Sequence, residues 1–440
     1  MQNENSRNTI IFFVCAAVIF IFYQQFVLEP ARLRQVAAQR AAVTAQIPAT
    51  PGAPGALTAS TLPAAPVTRE AAIAAGGPRI QIRTPALTGS IALRGARIDD
   101  LSLRQFRQTV DPQSPAITLL RPSGSENAYF AEFGWGGQNL AGLPDQTSLW
   151  QAPAGATLTP ATPVTLTYRN TTGLTFTRTI AIDEHYMFTI TDVVANRSGQ
   201  AISYLRPSAR VMREGLAATL GHNSIVHEGA IGVFDDQLHQ AKYPSHQPGR
   251  PWGRFEERTF QGSGGWLGVT DQYWMAVMVP QRGIPFSGTY QAVNGLFAVR
   301  FDGQAQPLSD GRQRTNVIRF YAGAKQVPLL RRYEAGQITS PGVSDARIER
   351  FDEAVDWGFA ALITRPVFWL LDTLYKYIGD FGLAILALTV IVKLIFFPLA
   401  NKSYESLTTH EKSKANAGRR CTDAANARSL QVQQPGADGW

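Results

Sequence analysis

The sequence predicts a membrane-anchored protein with a large antiparallel β-sandwich at its centre, and three observations support that prediction. Two apolar runs, at 10–22 and 381–399, lie near the two ends of the 440-residue chain. Between them, from about residue 79 to 332, apolar and polar residues alternate with the period of two that a β-strand requires. No long amphipathic helix interrupts this region, so we expect two sheets that bury each other's apolar faces. The expected fold class is therefore an all-β domain with two transmembrane helices and one amphipathic helix at the membrane interface.

The first apolar run predicts an uncleaved membrane anchor at 9–28, after a polar segment at 1–8. A short polar start followed by an apolar core is also the pattern of a cleaved secretory signal. The core is followed by YQQFVLEPARLR, which lacks a small-x-small cleavage site, and Ala16 and Ala17 lie too early to supply one. We therefore favour the anchor, with the cleaved signal as the alternative.

The segment at 29–78 predicts a disordered tether. It is rich in Ala and Pro and poor in bulky apolar residues, so it cannot bury enough surface to offset the entropy of ordering. Its first part, through Gln46, is compatible with a helix. Such a tether would let the following domain lie away from the anchor.

The central domain, predicted at 79–345, contains several runs with a strand pattern. These runs share Thr, Val, Ile and Phe at alternating positions and lie at 80–84, 90–95, 162–170, 174–182, 187–196, 265–280, 288–301 and 315–323. The sequence TYRNTTGLTFTR predicts a hairpin that joins the third run to the fourth. The segment at 328–336 predicts a short helix that closes the domain.

A few His and Glu side chains are the candidates for chemistry in this domain. They are His222, His227, Glu228, Glu184 and His185. Their spacing matches no standard zinc motif, so we favour solvated loop side chains and keep a metal or acid–base site as the alternative. The two cysteines lie one in each terminal region, so they cannot form a disulfide framework for the domain.

The formal net charge of +8 suits either nucleic acid or an anionic lipid surface. Lys and Arg are scattered singly along the chain, without a basic helix or an Arg-Gly tract. The distribution therefore favours lipid, and we expect no nucleic-acid site.

A linker and an amphipathic helix are predicted at 346–380. Pro366 suits the first turn of a helix. Apolar side chains share one face and polar side chains the other; the apolar ones are Val367, Leu370, Leu371, Leu374 and Ile378, and the polar ones are Asp372, Thr373 and Lys376. The apolar face is too short to span a bilayer, and the nearby Trp and Tyr residues favour the headgroup region. An interfacial helix is the prediction, and a helix packed on the sandwich surface is the alternative.

The second apolar run predicts a transmembrane helix at 381–400 that carries a single charged residue, Lys393. An ionisable group at the centre of such a helix costs roughly 2.5 to 3.5 kcal/mol on insertion scales. Thr389 lies four residues earlier and shares its side of the helix. Lys393 either faces a wet groove, where it would attract acidic segments of a passing polypeptide, or reaches the interface through its flexible stem. The residues alone leave both interpretations open.

The sequence YIGDFGLAILALTVIVKLIFFPLANKSYES, at 377–406, resembles the helix that opens the insertase core of YidC-type membrane protein insertases. The segments at 89–115 and 125–135 resemble the start of the large periplasmic domain of that family. The anchor and the tether lie where the family has them, so the resemblance covers residues 1–406. It implies that the β-domain is a supersandwich similar to mutarotase-like folds.

The resemblance also implies a function. The chain would be a non-enzymatic insertase and chaperone, without catalytic residues, metal or cofactor, that inserts and folds inner-membrane proteins with or without the Sec translocon. Lys393 and Thr389 would lie in its client-binding groove. The implied partners are nascent integral membrane proteins, the Sec translocon, the ribosome and membrane lipids. The implied location is the inner membrane, in a multi-pass arrangement with cytoplasmic termini and the large domain in the periplasm.

The resemblance ends after Ser406, where the family continues with a cytoplasmic helical hairpin and further membrane helices. Residues 407–440 contain no apolar run, so we expect a change of reading frame, a basic disordered tail at 401–440 and a polypeptide that cannot insert clients alone. A natural short variant is the alternative. The competing function is a membrane-tethered periplasmic carbohydrate-binding protein or enzyme with a sugar site near His222, His227 or Glu184.

Overall fold

The computed structural model describes residues 67–137, 140, 142–214, 226–243, 257–293, 296–358, 361–398 and 402. The predicted anchor at 9–28, most of the predicted tether, His222 and the tail beyond residue 402 therefore lie outside the described residues. The chain divides into two compact units, Met1–Asp356 and Trp357–Trp440.

The first unit contains two large β-sheets. The first sheet comprises β1 Arg79–Arg83, β2 Leu87–Ala92, β3 Arg97–Arg107, β4 Ala116–Leu120, β5 Tyr129–Gly137, β6 Thr157–Leu158, β10 Ile202–Glu214, β13 Arg258–Gly262, β16 Phe286–Val293, β17 Leu296–Gly303 and β18 Gln306–Leu308. The second sheet comprises β7 Val164–Arg169, β8 Leu174–Ile182, β9 Met187–Asn196, β11 Gly229–Phe234, β12 Gln237–Lys242, β14 Gly265–Thr270, β15 Trp274–Pro280 and β19 Gln313–Ala324.

Strand pairing in both sheets is antiparallel, apart from the short parallel pair of β1 with β6 among the described residues. The first sheet follows the order β13-β16-β17-β10-β5-β3-β2-β1-β6, with β4 beside β3 and β18 beside β10. The second follows the order β12-β11-β14-β15-β19-β9-β8-β7. The predicted antiparallel β-sandwich is confirmed.

Local patterns explain several of these strands. The predicted hairpin forms from β7 and β8, which place Tyr168 opposite Phe176. The runs at 265–280 and 288–301 each contain two paired strands, β14 with β15 and β16 with β17. Thr, Val and Phe on alternate positions suit these pleated surfaces because each strand buries one face against the opposing sheet.

The core lies between the sheets and is rich in aromatic side chains. Phe133 of the first sheet meets Phe320 of the second edge to face, with ring centroids 5.5 Å apart. Phe234 of the second sheet packs against Phe286 and Tyr290 of the first, with centroids 5.7 and 6.4 Å apart. Aromatic pairs of this geometry add to the stabilisation that comes from burying their apolar area.

Two short helices flank the sandwich. The helix α1, Arg69–Ala75, lies inside the segment predicted to be disordered, so that prediction is wrong for these residues. The Thr68 hydroxyl caps α1 by accepting from the Ala71 amide, and Arg69 pairs with the buried Asp100, which explains the local order. The predicted helix at 328–336 is confirmed as α2, Val327–Glu334, which buries its apolar face.

The second unit contains two helices, α3 at Ala361–Ile378 and α4 at Phe381–Pro398. Gly379, with φ of +76°, ends α3, and the Asp380 carboxylate accepts from the Leu383 amide at 2.9 Å to cap α4. Pro366 lies inside α3 and not in its first turn, so that prediction is wrong. The helix begins at Ala361, five residues before Pro366. In its first turn, the Thr364 hydroxyl donates to the Trp357 carbonyl at 2.9 Å.

Candidate functional site

The helix α4 is the only one among the described residues that is long and apolar enough to cross a membrane. Thr389 and Lys393 are both exposed on it, one turn apart and therefore on the same side. The Thr389 hydroxyl donates to the Ile385 carbonyl at 2.8 Å, so its polar group is already satisfied within the helix. In the part of the chain that the structure describes, no carboxylate forms an ion pair with Lys393. The helix thus presents one cation on an otherwise apolar surface.

The helix α3 carries the features expected at a membrane interface. Trp369 and Tyr377 are largely exposed, at 62% and 87% of their full surface. The Lys376 ammonium donates to the Asp372 carboxylate at 2.6 Å, one turn away on the polar face. Near the start of the helix, the Arg365 guanidinium lies over the Trp357 ring, 5.2 Å from its centroid. Exposed rings and a charged face on one helix suit the headgroup region of a bilayer.

Four of the residues considered for a metal or acid–base site form two neighbouring pairs in the sandwich, and the two pairs lie in different segments. Glu184 is exposed and His185 half-buried in the turn between β8 and β9, where the His185 amide donates to the Asp183 carboxylate at 2.9 Å. His227 lies just before β11 and is buried, so the prediction of a solvated loop residue is wrong for it. Among the described residues, no group of His, Cys, Asp and Glu side chains could hold a metal ion.

Two polar contacts satisfy the buried His227. Its Nε2 lies 2.9 Å from the Ala230 carbonyl, and its amide donates to the Asp356 carboxylate at 2.9 Å. Burial lowers the pKa of His227, because the charged imidazolium loses its hydration. The contacts of the His227 side chain and amide therefore hold the segment that enters β11.

Glu228, the neighbour of His227, lines a cavity of about 390 Å³ that the sequence did not reveal. The cavity lies where β4, β5 and β10 of the first sheet meet the turn between β14 and β15 of the second. Arg213, Asp271 and Tyr273 are among its walls. The short polar segment TDQYW at 270–274 could have indicated a turn with two aromatic residues, but not its partners on distant strands.

A buried network holds one wall of this cavity. Arg213 Nη1 donates to both oxygens of Asp271, at 2.6 and 2.5 Å, and the Tyr243 hydroxyl donates to Asp271 at 3.0 Å. The guanidinium also lies 4.9 Å from the ring centroid of Tyr129, its cross-strand neighbour. Burial opposes the charge on Arg213, but the Asp271 carboxylate outweighs it and raises the pKa of the guanidinium.

Comparison with known proteins decides the family. Residues 79–370 match the family described as the YidC periplasmic domain. A protein of Caulobacter vibrioides named membrane protein insertase YidC is 45% identical over 426 residues, which cover 94% of this chain and 68% of the relative. This chain belongs to the YidC family of membrane protein insertases. The resemblance predicted from residues 1–406 is confirmed at the level of the family.

Further members of the YidC family show the same extent of similarity. The YidC insertase of Caulobacter sp. strain K31 is 43% identical, with 94% of this chain and 68% of the relative covered. The YidC insertase of Methylobacterium radiotolerans is 39% identical, with 92% and 68% covered. The matched periplasmic domain includes the sandwich, the 3-10 helix Phe351–Ala354 and the first half of α3.

The solved structures that resemble this chain are distant. A galactose mutarotase related enzyme from Lactobacillus acidophilus matches with a TM-score of 0.36 and 9% identity, covering 56% of this chain and 97% of that enzyme. A putative aldose 1-epimerase from Klebsiella pneumoniae matches with a TM-score of 0.32 and 10% identity, covering 54% and 77%. Similarity at this level supports no conclusion about ligands or activity.

Proposed function

We propose that this chain binds hydrophobic segments of nascent membrane proteins through α4, as one step in the insertion and folding of those proteins in the inner membrane. The names of its relatives, membrane protein insertase, support this role. The structural observation that carries the proposal is the single cation of α4, exposed on the same side as Thr389. The proposed role is non-enzymatic and uses no cofactor.

The chemistry of α4 suits a client with an apolar segment and a polar flank. The apolar surface of the helix offers a client segment the packing that lipid also offers. The Lys393 ammonium offers a polar flank an electrostatic partner at membrane depth, where charges interact more strongly than in water. An acidic residue in the flank would therefore be held near Lys393 while the apolar segment moves into lipid.

The arrangement around α4 extends this proposal. The helix α3 would lie in the headgroup region, with the large sandwich in the periplasm and both termini in the cytoplasm. The ribosome would deliver clients, and the Sec translocon would share some of them. Membrane lipids would receive the released segment beside Lys393 and Thr389.

Site-specific photocrosslinking tests the proposal with the 440-residue chain in its membrane. A photoreactive p-benzoylphenylalanine replaces Thr389, and ribosomes stalled on a nascent chain with one apolar segment and an acidic flank supply the client. The matched control carries the same probe at Ile391, which is about 200° away around the helix. We expect a client crosslink at position 389 that is several-fold stronger than at position 391.

Two outcomes would contradict the proposal. Equal crosslinking at 389 and 391 would indicate contact by chance in the lipid phase. Crosslinks to lipid alone at both positions would exclude α4 as a client-binding surface.

A further inference from the structure

The cavity beside Arg213 is a candidate binding site on the sandwich, independent of the function proposed for α4. Its volume of about 390 Å³ lies in the range of pockets that bind small molecules. Its walls come from both sheets: Thr118 and Tyr129 from the first, and Asp271 and Trp274 from either end of the β14–β15 turn of the second.

The walls combine hydrogen-bond donors and acceptors with balanced charge. Arg121 and Arg213 contribute two formal positive charges, and Glu228 and Asp271 contribute two negative ones. Thr118 adds a hydroxyl that can both donate and accept. A strongly anionic or cationic ligand would need an excess of one sign, so the balance favours a neutral ligand with many polar groups.

Arg213 is held in place yet keeps donor capacity. Its contacts with Asp271 and Tyr243 use Nη1 alone, and no described residue accepts a hydrogen bond from Nη2. The side chain is about nine-tenths buried, and among the described residues its buried Nε also has no hydrogen-bond partner. A ligand hydroxyl or carbonyl in the cavity would supply an acceptor to a group whose orientation is already fixed.

Aromatic rings form one side of the cavity. Tyr273 is 60% exposed, which is high for a large ring. Trp274 lies next to it, with ring centroids 6.1 Å apart, and is supported from the other side by Phe106 at 5.0 Å. Exposed rings beside polar groups give a surface with an apolar face and a wet edge.

We propose that this cavity binds a neutral saccharide. Sugars present hydroxyl groups that both donate and accept, which matches the mixed wall of Arg, Asp, Glu and Thr groups. They also present an apolar C–H face, which packs on rings such as Tyr273 and Trp274.

Calorimetry tests the proposal with the 440-residue chain in a detergent that has no sugar headgroup. The probes are glucose, N-acetylglucosamine, maltose and cellobiose, each at up to about 10 mM, a concentration that would reveal weak binding. We expect saturable binding of at least one of them. The substitution Tyr273→Ala removes an exposed ring and should weaken that binding about tenfold, equivalent to about 1.4 kcal/mol, because the stacking contact of the ring is lost.

A control variant outside the cavity makes the test specific. Leu149→Ala removes an apolar side chain of comparable exposure, 51% against 60% for Tyr273, and should bind sugar as the parent does. Failure of all four sugars to bind would overturn the proposal. Binding that is unchanged in Tyr273→Ala, or binding of inorganic phosphate or triglycine at the Tyr273-dependent site in place of sugars, would overturn it as well.

Discussion

Arg178 and Asp192 face each other across β8 and β9 and form a bidentate ion pair in the interior of the sandwich. Arg178 Nε donates to one carboxylate oxygen at 2.7 Å, and Nη2 donates to the other at 2.8 Å. The guanidinium is fully buried, and it also donates to the carbonyl of Phe133 in β5 of the opposite sheet and to that of Ala96, which immediately precedes β3. One buried cation therefore links the two layers of the fold.

Removal of the Asp192 charge should destabilise the sandwich strongly. Asp192→Asn preserves the size of the side chain but leaves the Arg178 guanidinium buried without its counter-charge. Loss of one partner of a buried pair costs about 3 to 5 kcal/mol. Unfolding of the 440-residue chain in detergent, followed by near-ultraviolet circular dichroism, measures the change.

Asp345→Asn is the matched control for this experiment. Asp345 pairs with Arg282 at 3.2 Å, but both side chains are substantially exposed, at 38% and 46%. An exposed pair contributes about 0 to 1 kcal/mol. Equal destabilisation by the two substitutions would show that the buried pair does not hold the layers together.

Gly323 in β19 should not tolerate even a methyl group. A Cβ atom at this position would overlap the Cγ, Cβ and Cδ1 atoms of Tyr186, which is buried against Tyr321. Gly323→Ala should therefore cost about 1 to 3 kcal/mol, as overpacked cores do. Gly134→Ala in β5 is the control, because a Cβ there meets no atom within 4 Å, and it should be neutral or slightly stabilising. Similar unfolding midpoints for the two variants would contradict the prediction.

The sequence predicted the strands whose side chains follow a simple alternation. The run at 187–196 matches β9 residue for residue, because its buried and half-exposed positions alternate along most of its length. The strand β3 was missed as an element, because it places polar Asp99 and Asp100 in the interior. Those carboxylates are buried only because Arg79 and Arg69 on other segments pair with them, which no local pattern reveals.

The candidate sites were predictable to different degrees. Thr389 and Lys393 lie on one continuous helix, so their spacing alone placed them on one side of it. The cavity was not predictable, because Tyr129, Arg213 and Tyr273 come from strands far apart in the chain. Their meeting depends on sheet order, which alternation and turn residues do not specify.

Lys325 should make the stability of the sandwich depend on pH in the alkaline range. Burial lowers the pKa of Lys325 to about 8, although Asp271 and Asp356 oppose the shift, and its ammonium donates to the Thr270 hydroxyl at 3.1 Å. Between about pH 8 and the ordinary lysine pKa near 10.4, the unfolded chain binds more protons than the folded one, so folding becomes more favourable as pH rises. Below about pH 8 both states are charged and this dependence vanishes.

The comparison with Lys325→Met isolates this effect from the titration of tyrosines. The stability of the parent relative to the variant should rise by about 1.4 kcal/mol per pH unit between pH 8 and 10, and should be constant between pH 6 and 7. Chemical unfolding at each pH measures both proteins. A difference that stays constant up to pH 10 would mean that Lys325 keeps its ordinary pKa.

Lys393 should distinguish clients by the charge of their polar flank. In the photocrosslinking system with the probe at position 389, Lys393→Glu should reduce crosslinking of a client with an acidic flank at least about threefold, because like charges repel strongly at low dielectric. Crosslinking of a client with an uncharged flank should change little, and Lys393→Arg should preserve both signals because the charge remains. Equal loss for both clients in Lys393→Glu would indicate a general disturbance of α4. No loss for either would indicate that the ammonium extends to the membrane surface, away from the client.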